Sequence, residues 1–213
     1  MKKLFTLLVL LTSTSVFAAD ATIGWNTWSG AGPGNGINTM ANQKGPFTRF
    51  SDSISEHFSA DVLMSGGQFN KPPVDGLASA NANNGLSYAV QLGITGKYPI
   101  KLPVLGDAKV YTRVGVGAIA VGPSQWYRYN IEPGIVFPIG HTETTAKFGV
   151  RYQDNFVAGT MWNKDQAKTI RVALSHPITK LDSIGVGYDR QRGDWSADIW
   201  SLALTHTFGN YSK

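Results

Sequence analysis

Residues 126–138 read WYRYNIEPGIVFP, and the two faces of this stretch differ in character. Tyr127 and Ile131 fall on one face of an extended chain, while Arg128 and Glu132 fall on the other. Side chains of a β-strand alternate between its two faces, so a period of two is the period of a strand. The stretch therefore predicts a β-strand with one apolar face and one charged face.

The same alternation recurs along most of the chain and predicts about ten strands. They lie near residues 20–29, 45–53, 57–67, 85–98, 108–121, 126–138, 143–155, 166–176, 183–190 and 196–208. Gly32-Pro33-Gly34 and Pro46 interrupt the first two, so eight strands are the alternative. Pro133, in the middle of a predicted strand, predicts a β-bulge.

Three proline motifs recur at a constant spacing of 39 residues. They are Tyr98-Pro99-Ile100, Phe137-Pro138-Ile139 and His176-Pro177-Ile178. Proline cannot donate to a strand ladder, so each motif predicts the end of a strand at a corner. One period then contains an outward strand, a loop and a returning strand, as in a β-meander with its tight turns at one end.

The connections between the strands also alternate in length. Longer ones at Gly30–Lys44, Phe69–Asn84 and Asn155–Asp165 alternate with short ones near Ser53–His57, Gly140–Thr142 and Thr179–Asp182. Aromatic residues are predicted near both ends of the strands, where the two membrane–water interfaces favour aromatic side chains. They are Tyr98, Phe137 and Phe208 at the end with tight turns, and Trp126, Tyr127, Phe156 and Trp162 at the other end.

The first 18 residues have the organisation of an export signal. Lys2 and Lys3 precede the apolar segment Leu4–Leu11, and Val16-Phe17-Ala18 offers a cleavage site after Ala18. A transmembrane anchor is the alternative, but the apolar segment is shorter than the roughly 20 residues that a spanning helix needs. We therefore expect a signal peptide over 1–18 and one domain over 19–213.

Export and strand pattern together predict an all-β protein of the outer membrane of a Gram-negative bacterium. A sheet that crosses lipid must close, because lipid offers no hydrogen-bond partner to an open edge. We expect a transmembrane antiparallel up-and-down β-barrel of 8–10 strands, with short periplasmic turns and longer extracellular loops. A secreted β-sandwich would show the same alternation and is the alternative fold.

Charged residues on the polar faces predict what lies inside the barrel. Those expected in the lumen are Asp61, Lys109, Arg113, Arg128, Glu132, Lys147, Arg151, Arg171 and Asp189. Buried charges must be paired, so we expect an Arg–Glu network across the lumen, centred on Glu132, that fills and stiffens the barrel. Six of the nine are basic, however, and a partly open, anion-preferring pore is the alternative.

Two stretches resemble the OmpA-type transmembrane barrel family. Gly96-Lys97-Tyr98-Pro99-Ile100 leading to Val110–Gly115 is similar to a strand, turn and strand of that family. Ser201–Gly209 is similar to its closing strand, and the likeness covers roughly the last 120 residues. The resemblance implies a structural, surface-exposed membrane protein. The chain has about two more strands than that family's eight, and no peptidoglycan-binding domain is expected.

Other function classes find little support in the residues. Barrel hydrolases need a histidine near the outer rim, and all four histidines fall in or near predicted periplasmic turns, so we expect no enzyme. We expect no cofactor and no metal. The formal net charge of +5 is spread along the chain, so no nucleic acid is expected.

The expected partners are membrane lipid, lipopolysaccharide and the barrel-insertion machinery, which would read the final strand ending at Phe208.

The sequence thus predicts three functions in descending order. The first is an OmpA-like structural protein whose polar lumen is ion-paired. The second is a small porin-like channel for ions or small anions. The third is an outer-membrane barrel hydrolase.

Overall fold

The computed structural model describes most of the chain as β-structure. The described residues are 19–31, 40–69, 85–103, 106–121, 124–157, 166–194 and 196–208. The predicted signal peptide, residues 1–18, and Trp162 lie outside them. Within these ranges, no helix has the length and hydropathy needed to cross a lipid bilayer.

Ten antiparallel strands form one closed barrel. They are β1 (Ala19–Ala31), β2 (Met40–Ser53), β3 (Phe58–Phe69), β4 (Gly85–Leu102), β5 (Gly106–Val121), β6 (Ser124–Pro138), β7 (Thr145–Val157), β8 (Ala167–Pro177), β9 (Asp182–Gly193) and β10 (Ser196–Phe208). Each strand pairs with its neighbours in sequence, and β1 pairs with β10 from Ala19–Phe208 to Ala31–Ser196. The predicted barrel is confirmed. The two alternatives, a barrel of eight strands and a β-sandwich, are excluded.

The two ends of the barrel differ in their connections. The β2–β3, β4–β5, β6–β7 and β8–β9 connections lie at one end, together with the start of β1 and the end of β10. We call this the turn end, and the opposite end the loop end. At the loop end, residues 32–39, 70–84 and 158–165 of the longer connections lie outside the described residues. The β5–β6 and β9–β10 connections there hold only two residues each.

The proline motifs end two strands, as predicted, but not the third. Pro138 and Pro177 are the last residues of β6 and β8, whereas β4 continues past Pro99 to Leu102. The backbone N–H of Lys97 donates to the carbonyl of His57, the residue before β3. By strand alternation the nitrogen of Pro99 faces the same side, beyond the end of β3, so it interrupts no ladder bond.

The predicted bulge at Pro133 is wrong. Ile131 pairs with Tyr152 and Gly134 pairs with Gly149, so the register is the same on both sides of the proline. The register between β6 and β7 shifts nearer the loop end instead, between Tyr127 and Arg128. The ladder therefore tolerates Pro133 without an inserted residue.

Burial in this barrel is the reverse of that in a water-soluble protein. Large apolar side chains cover the outside, and Leu92, Val116 and Ile170 are each about half exposed. The largest side chains that are fully buried are all polar: Gln91, Glu132, Gln153 and Thr169. An apolar surface of this extent is unfavourable in water and favourable in lipid. The outside is therefore a lipid-facing surface and the inside a polar lumen.

The lipid-facing surface can be tested by placing a charge at mid-depth. Val116 lies outside β5 between Leu92 and Tyr129 on the neighbouring strands, so Val116→Lys should lower the free energy of unfolding in liposomes by about 2–4 kcal/mol. Urea titration of the refolded protein measures this change. The control Thr27→Lys, at an exposed position near the loop end of β1, should cost far less. A neutral or stabilising Val116→Lys would mean that water contacts this surface.

Candidate functional site

One group of charged side chains surrounds Glu132 on the inner wall of the barrel. Glu132 is fully buried, and its Oε1 accepts a hydrogen bond from the Tyr111 hydroxyl at 2.9 Å and lies 3.2 Å from Nζ of Lys147. Its Oε2 accepts from Nη1 of Arg171 at 3.0 Å. Arg171 also donates through Nε and Nη2 to the Asp189 carboxylate, at 2.8 and 2.6 Å. These five residues, the Glu132 cluster, link β5 to β9.

A second group surrounds Asp61 on the inner wall nearer β3. Nε and Nη2 of Arg113 donate to the two carboxylate oxygens of Asp61 at 3.0 and 2.7 Å, a bidentate pair. Arg49 donates to the same carboxylate at 3.0 Å, and Nη1 of Arg113 donates to the Asn130 side chain at 3.0 Å. These four residues, the Asp61 cluster, link β2, β3, β5 and β6.

Glycines allow both clusters to lie flat against the wall. A Cβ atom at Gly134 or Gly149 would collide with the Tyr111 hydroxyl, and one at Gly93 would collide with the Arg113 guanidinium. The long side chains of β5 therefore cross the adjacent strands where those strands carry no side chain. The sequence predicted an Arg–Glu network across the lumen, whereas the structure has the network around Glu132 along the wall.

The lumen consequently retains a cavity of about 360 Å³ that is lined by residues of all ten strands. Its basic lining residues are Arg49, Arg113, Arg128, Lys147, Arg151 and Arg171. Its acidic lining residues are Asp61 and Asp189. With Glu132, which is buried against Lys147 and Arg171, six basic and three acidic side chains lie at or behind the cavity wall, so cationic groups are in excess.

The structure brings most of the predicted lumen residues together. Asp61 and Arg113 meet in one cluster, and Glu132, Lys147, Arg171 and Asp189 meet in the other. Arg128 contacts the Gln91 side chain and Arg151 lies 3.5 Å from the Thr169 hydroxyl, and both line the cavity outside the clusters. Lys109 is exposed near the turn end of β5 and belongs to neither cluster.

Sequence reasoning missed Arg49, Tyr111 and Asn130 as members of the two clusters. Tyr111 and Asn130 share the inner face with Arg113 and Glu132, so their period was visible, but neither is charged. Arg49 was harder to identify because β2 carries phenylalanine on both faces: Phe47 lines the cavity and Phe50 faces outward. Assigning Phe50 to the lipid-facing side would have placed Arg49 in the lumen, because adjacent residues of a strand face opposite sides.

The aromatic residues occupy both ends of the outer surface. The described ones are Tyr98, Phe137 and Phe208 near the turn end, and Tyr127 and Phe156 near the loop end. The rings of Tyr127 and Phe156 lie 6.1 Å apart. The side chain of Trp126 lies outside the described residues. A role for these residues at the membrane interfaces stays a prediction.

Comparison with solved structures identifies the fold. No family model matches this sequence, and no curated protein matches it. An outer membrane channel from Pseudomonas putida F1 is similar with a TM-score of 0.53 at 11% identity, over 92% of this chain and 97% of that chain. The β domain of the Bordetella autotransporter Brka is similar with a TM-score of 0.55 at 8% identity, over 91% and 100%. The chain therefore has the fold of outer-membrane β-barrels.

Removing the central carboxylate should destabilise the barrel. In Glu132→Ala, the Lys147 ammonium loses its carboxylate partner, which should lower the free energy of unfolding by about 3–5 kcal/mol. Urea unfolding in liposomes measures it, with Glu143→Ala in the exposed β6–β7 turn as the control. The double variant Glu132→Ala, Lys147→Met should lose less than the two single variants summed, because no charge is left unpaired. Additive losses would contradict the pairing.

The need for glycine beneath Tyr111 is tested separately. In Gly149→Ala the new methyl group must displace the Tyr111 hydroxyl, so we expect a loss of about 1–3 kcal/mol in the same unfolding experiment. Gly66→Ala is the matched control, since its Cβ would lie 3.8 Å from the nearest atom, a backbone oxygen of Ser87. If both variants lost the same unfolding free energy, the loss would come from replacing any strand glycine by alanine and not from the space that Tyr111 needs.

Proposed function

We propose that the protein resides in the outer membrane of a Gram-negative bacterium and forms a narrow channel that prefers small anions. The observation that carries this proposal is the cavity of about 360 Å³ lined by six basic and two acidic residues. Rings of basic side chains favour anions in pores, because the local potential stabilises negative charge. The ion pairs support the channel by holding long side chains against the wall.

An OmpA-like structural role is the second candidate. The Glu132 and Asp61 clusters favour it, because they link seven of the ten strands and would stiffen a barrel whose function lies in its loops. The two candidates make opposite predictions for ion flow. A structural barrel should be silent in a bilayer, whereas a channel should open in discrete steps.

We also propose that the protein is not an enzyme. All four histidines lie toward the turn end, away from the loops. His57 and His141 lie in turns, His176 contacts the Thr144 hydroxyl at 2.9 Å, and His206 contacts Asp182 at 2.7 Å. These positions give no support to a hydrolytic site at the outer rim.

Membrane lipid and lipopolysaccharide are the proposed partners of the outer surface. Trp200, Leu202, Leu204 and Phe208 of β10 are each about half exposed on that surface. An apolar closing strand that ends in an aromatic residue is also what we propose the barrel-insertion machinery reads. The pairing of this strand with β1 closes the barrel.

Conductance in a planar lipid bilayer tests the channel directly. The refolded protein, with insertion established by a heat-modifiable gel shift, should show discrete openings and a reversal potential displaced toward chloride in a KCl gradient. Arg128→Gln should reduce the anion preference, because this side chain lines the cavity. Arg190→Gln removes the same charge from the exposed outer face of β9 and should leave the preference unchanged. A silent bilayer would support the structural barrel instead.

A further inference from the structure

We infer that the lumen contains a binding site for a small organic carboxylate with an apolar body, and that Arg151 binds the carboxylate group. This inference rests on the proposed anion-preferring lumen and adds the chemical class of the ligand. Three features carry it: an incompletely bonded arginine, neutral residues that pair with it across the sheet, and an apolar part of the wall of the same cavity.

Arg151 differs from the three cluster arginines, Arg49, Arg113 and Arg171, in that each of those bonds to a carboxylate. Arg151 is 8% exposed and lines the cavity, yet its Nε has no hydrogen-bond partner, and Nη2 reaches only the Thr169 hydroxyl at 3.5 Å. No carboxylate of the described residues lies within ion-pair distance of it. A guanidinium presents its donors as a planar fork that matches a carboxylate, so this group is suited to bind one.

The residues that pair with Arg151 across the sheet carry no charge. Arg151 pairs with Thr169 across the sheet, and Thr169 pairs with Gln191 on the next strand, so the three form one inward-facing row. Thr169 and Gln191 are neutral and almost completely buried. The nearest acidic groups on the inner wall, Glu132 and Asp189, both accept hydrogen bonds from Arg171.

Part of the cavity wall is apolar, which favours an organic anion over an inorganic one as a bound ligand. Five large apolar side chains line it on β1, β2, β3, β5 and β10. They are Trp28, Phe47, Leu63, Ile119 and Ile199. An inorganic anion would leave these side chains in contact with water, whereas the body of an organic acid would cover them. A cavity of about 360 Å³ is also of the size that small-molecule ligands occupy.

Calorimetric titration of the folded protein in a nonionic detergent tests the site with three probes. Benzoate carries a carboxylate and a ring, acetate carries the carboxylate alone, and benzyl alcohol carries the ring alone. Empty micelles provide the blank for partitioning of each probe. Benzoate should bind saturably, and both partial probes should bind at least about tenfold more weakly.

Variants assign the two halves of the site. Arg151→Gln should weaken benzoate binding by about tenfold or more, while Arg190→Gln on the outer face should have no effect. Ile199→Ser should weaken benzoate binding but leave acetate unchanged. A heat-modifiable gel shift establishes that each variant is folded, so a loss of binding reports on the site.

Each other outcome overturns the inference. Absence of benzoate binding to the folded protein, equal binding of acetate and benzoate, or benzoate binding that Arg151→Gln leaves intact would each exclude this site. Failure here is distinguishable from failure of the channel. Anion-selective openings without benzoate binding would remove only the site, whereas benzoate binding in a protein that conducts no ions would remove only the channel.

Discussion

The closure of the sheet by pairing of β1 with β10 is the constraint on which the rest of this molecule depends. In lipid, a free strand edge would leave backbone N–H and C=O groups without partners, at a cost that no side-chain packing offsets. Closure places one face of every strand toward lipid and the other toward an enclosed lumen. The apolar outer surface and the buried polar residues are both consequences of this closure.

An enclosed polar lumen must satisfy its charges with its own residues. The two clusters do so by joining Asp61 and Glu132 to arginines, a lysine and a tyrosine on strands up to two positions away. Glycines at 93, 134 and 149 make those reaches possible, because each lies beneath a long side chain. Charge pairing is thereby achieved along the wall, and among the residues that the structure describes the ion pairs of the two clusters do not cross the lumen.

The surplus of cations connects structure with the proposed function. For stability alone, the inner wall would need only as many basic as acidic groups. Arg128 and Arg151, which lie outside the two clusters, add positive charge whose burial costs desolvation free energy. Their position on the wall of a partly apolar cavity supports the proposal that these charges bind an anion. We therefore propose that the clusters stabilise the wall, and that Arg128 and Arg151 contribute chiefly to the anion preference of the lumen.

The sequence by itself determined the strand pattern and the two faces of most strands, because a period of two is local and occurs in any sheet. Together with the export signal it also predicted a closed barrel of eight to ten strands, because a sheet in lipid must close. It also placed Glu132, Lys147, Arg171 and Asp189 inside. Only the tertiary structure decided that β4 continues past Pro99 and that no bulge forms at Pro133, since these depend on where β3 ends and on the β6–β7 register. It alone showed Arg49 in a cluster, Lys109 outside both, and the network along the wall. The physical reason is that these features depend on cross-strand register and on glycines of neighbouring strands, which no single strand's pattern contains.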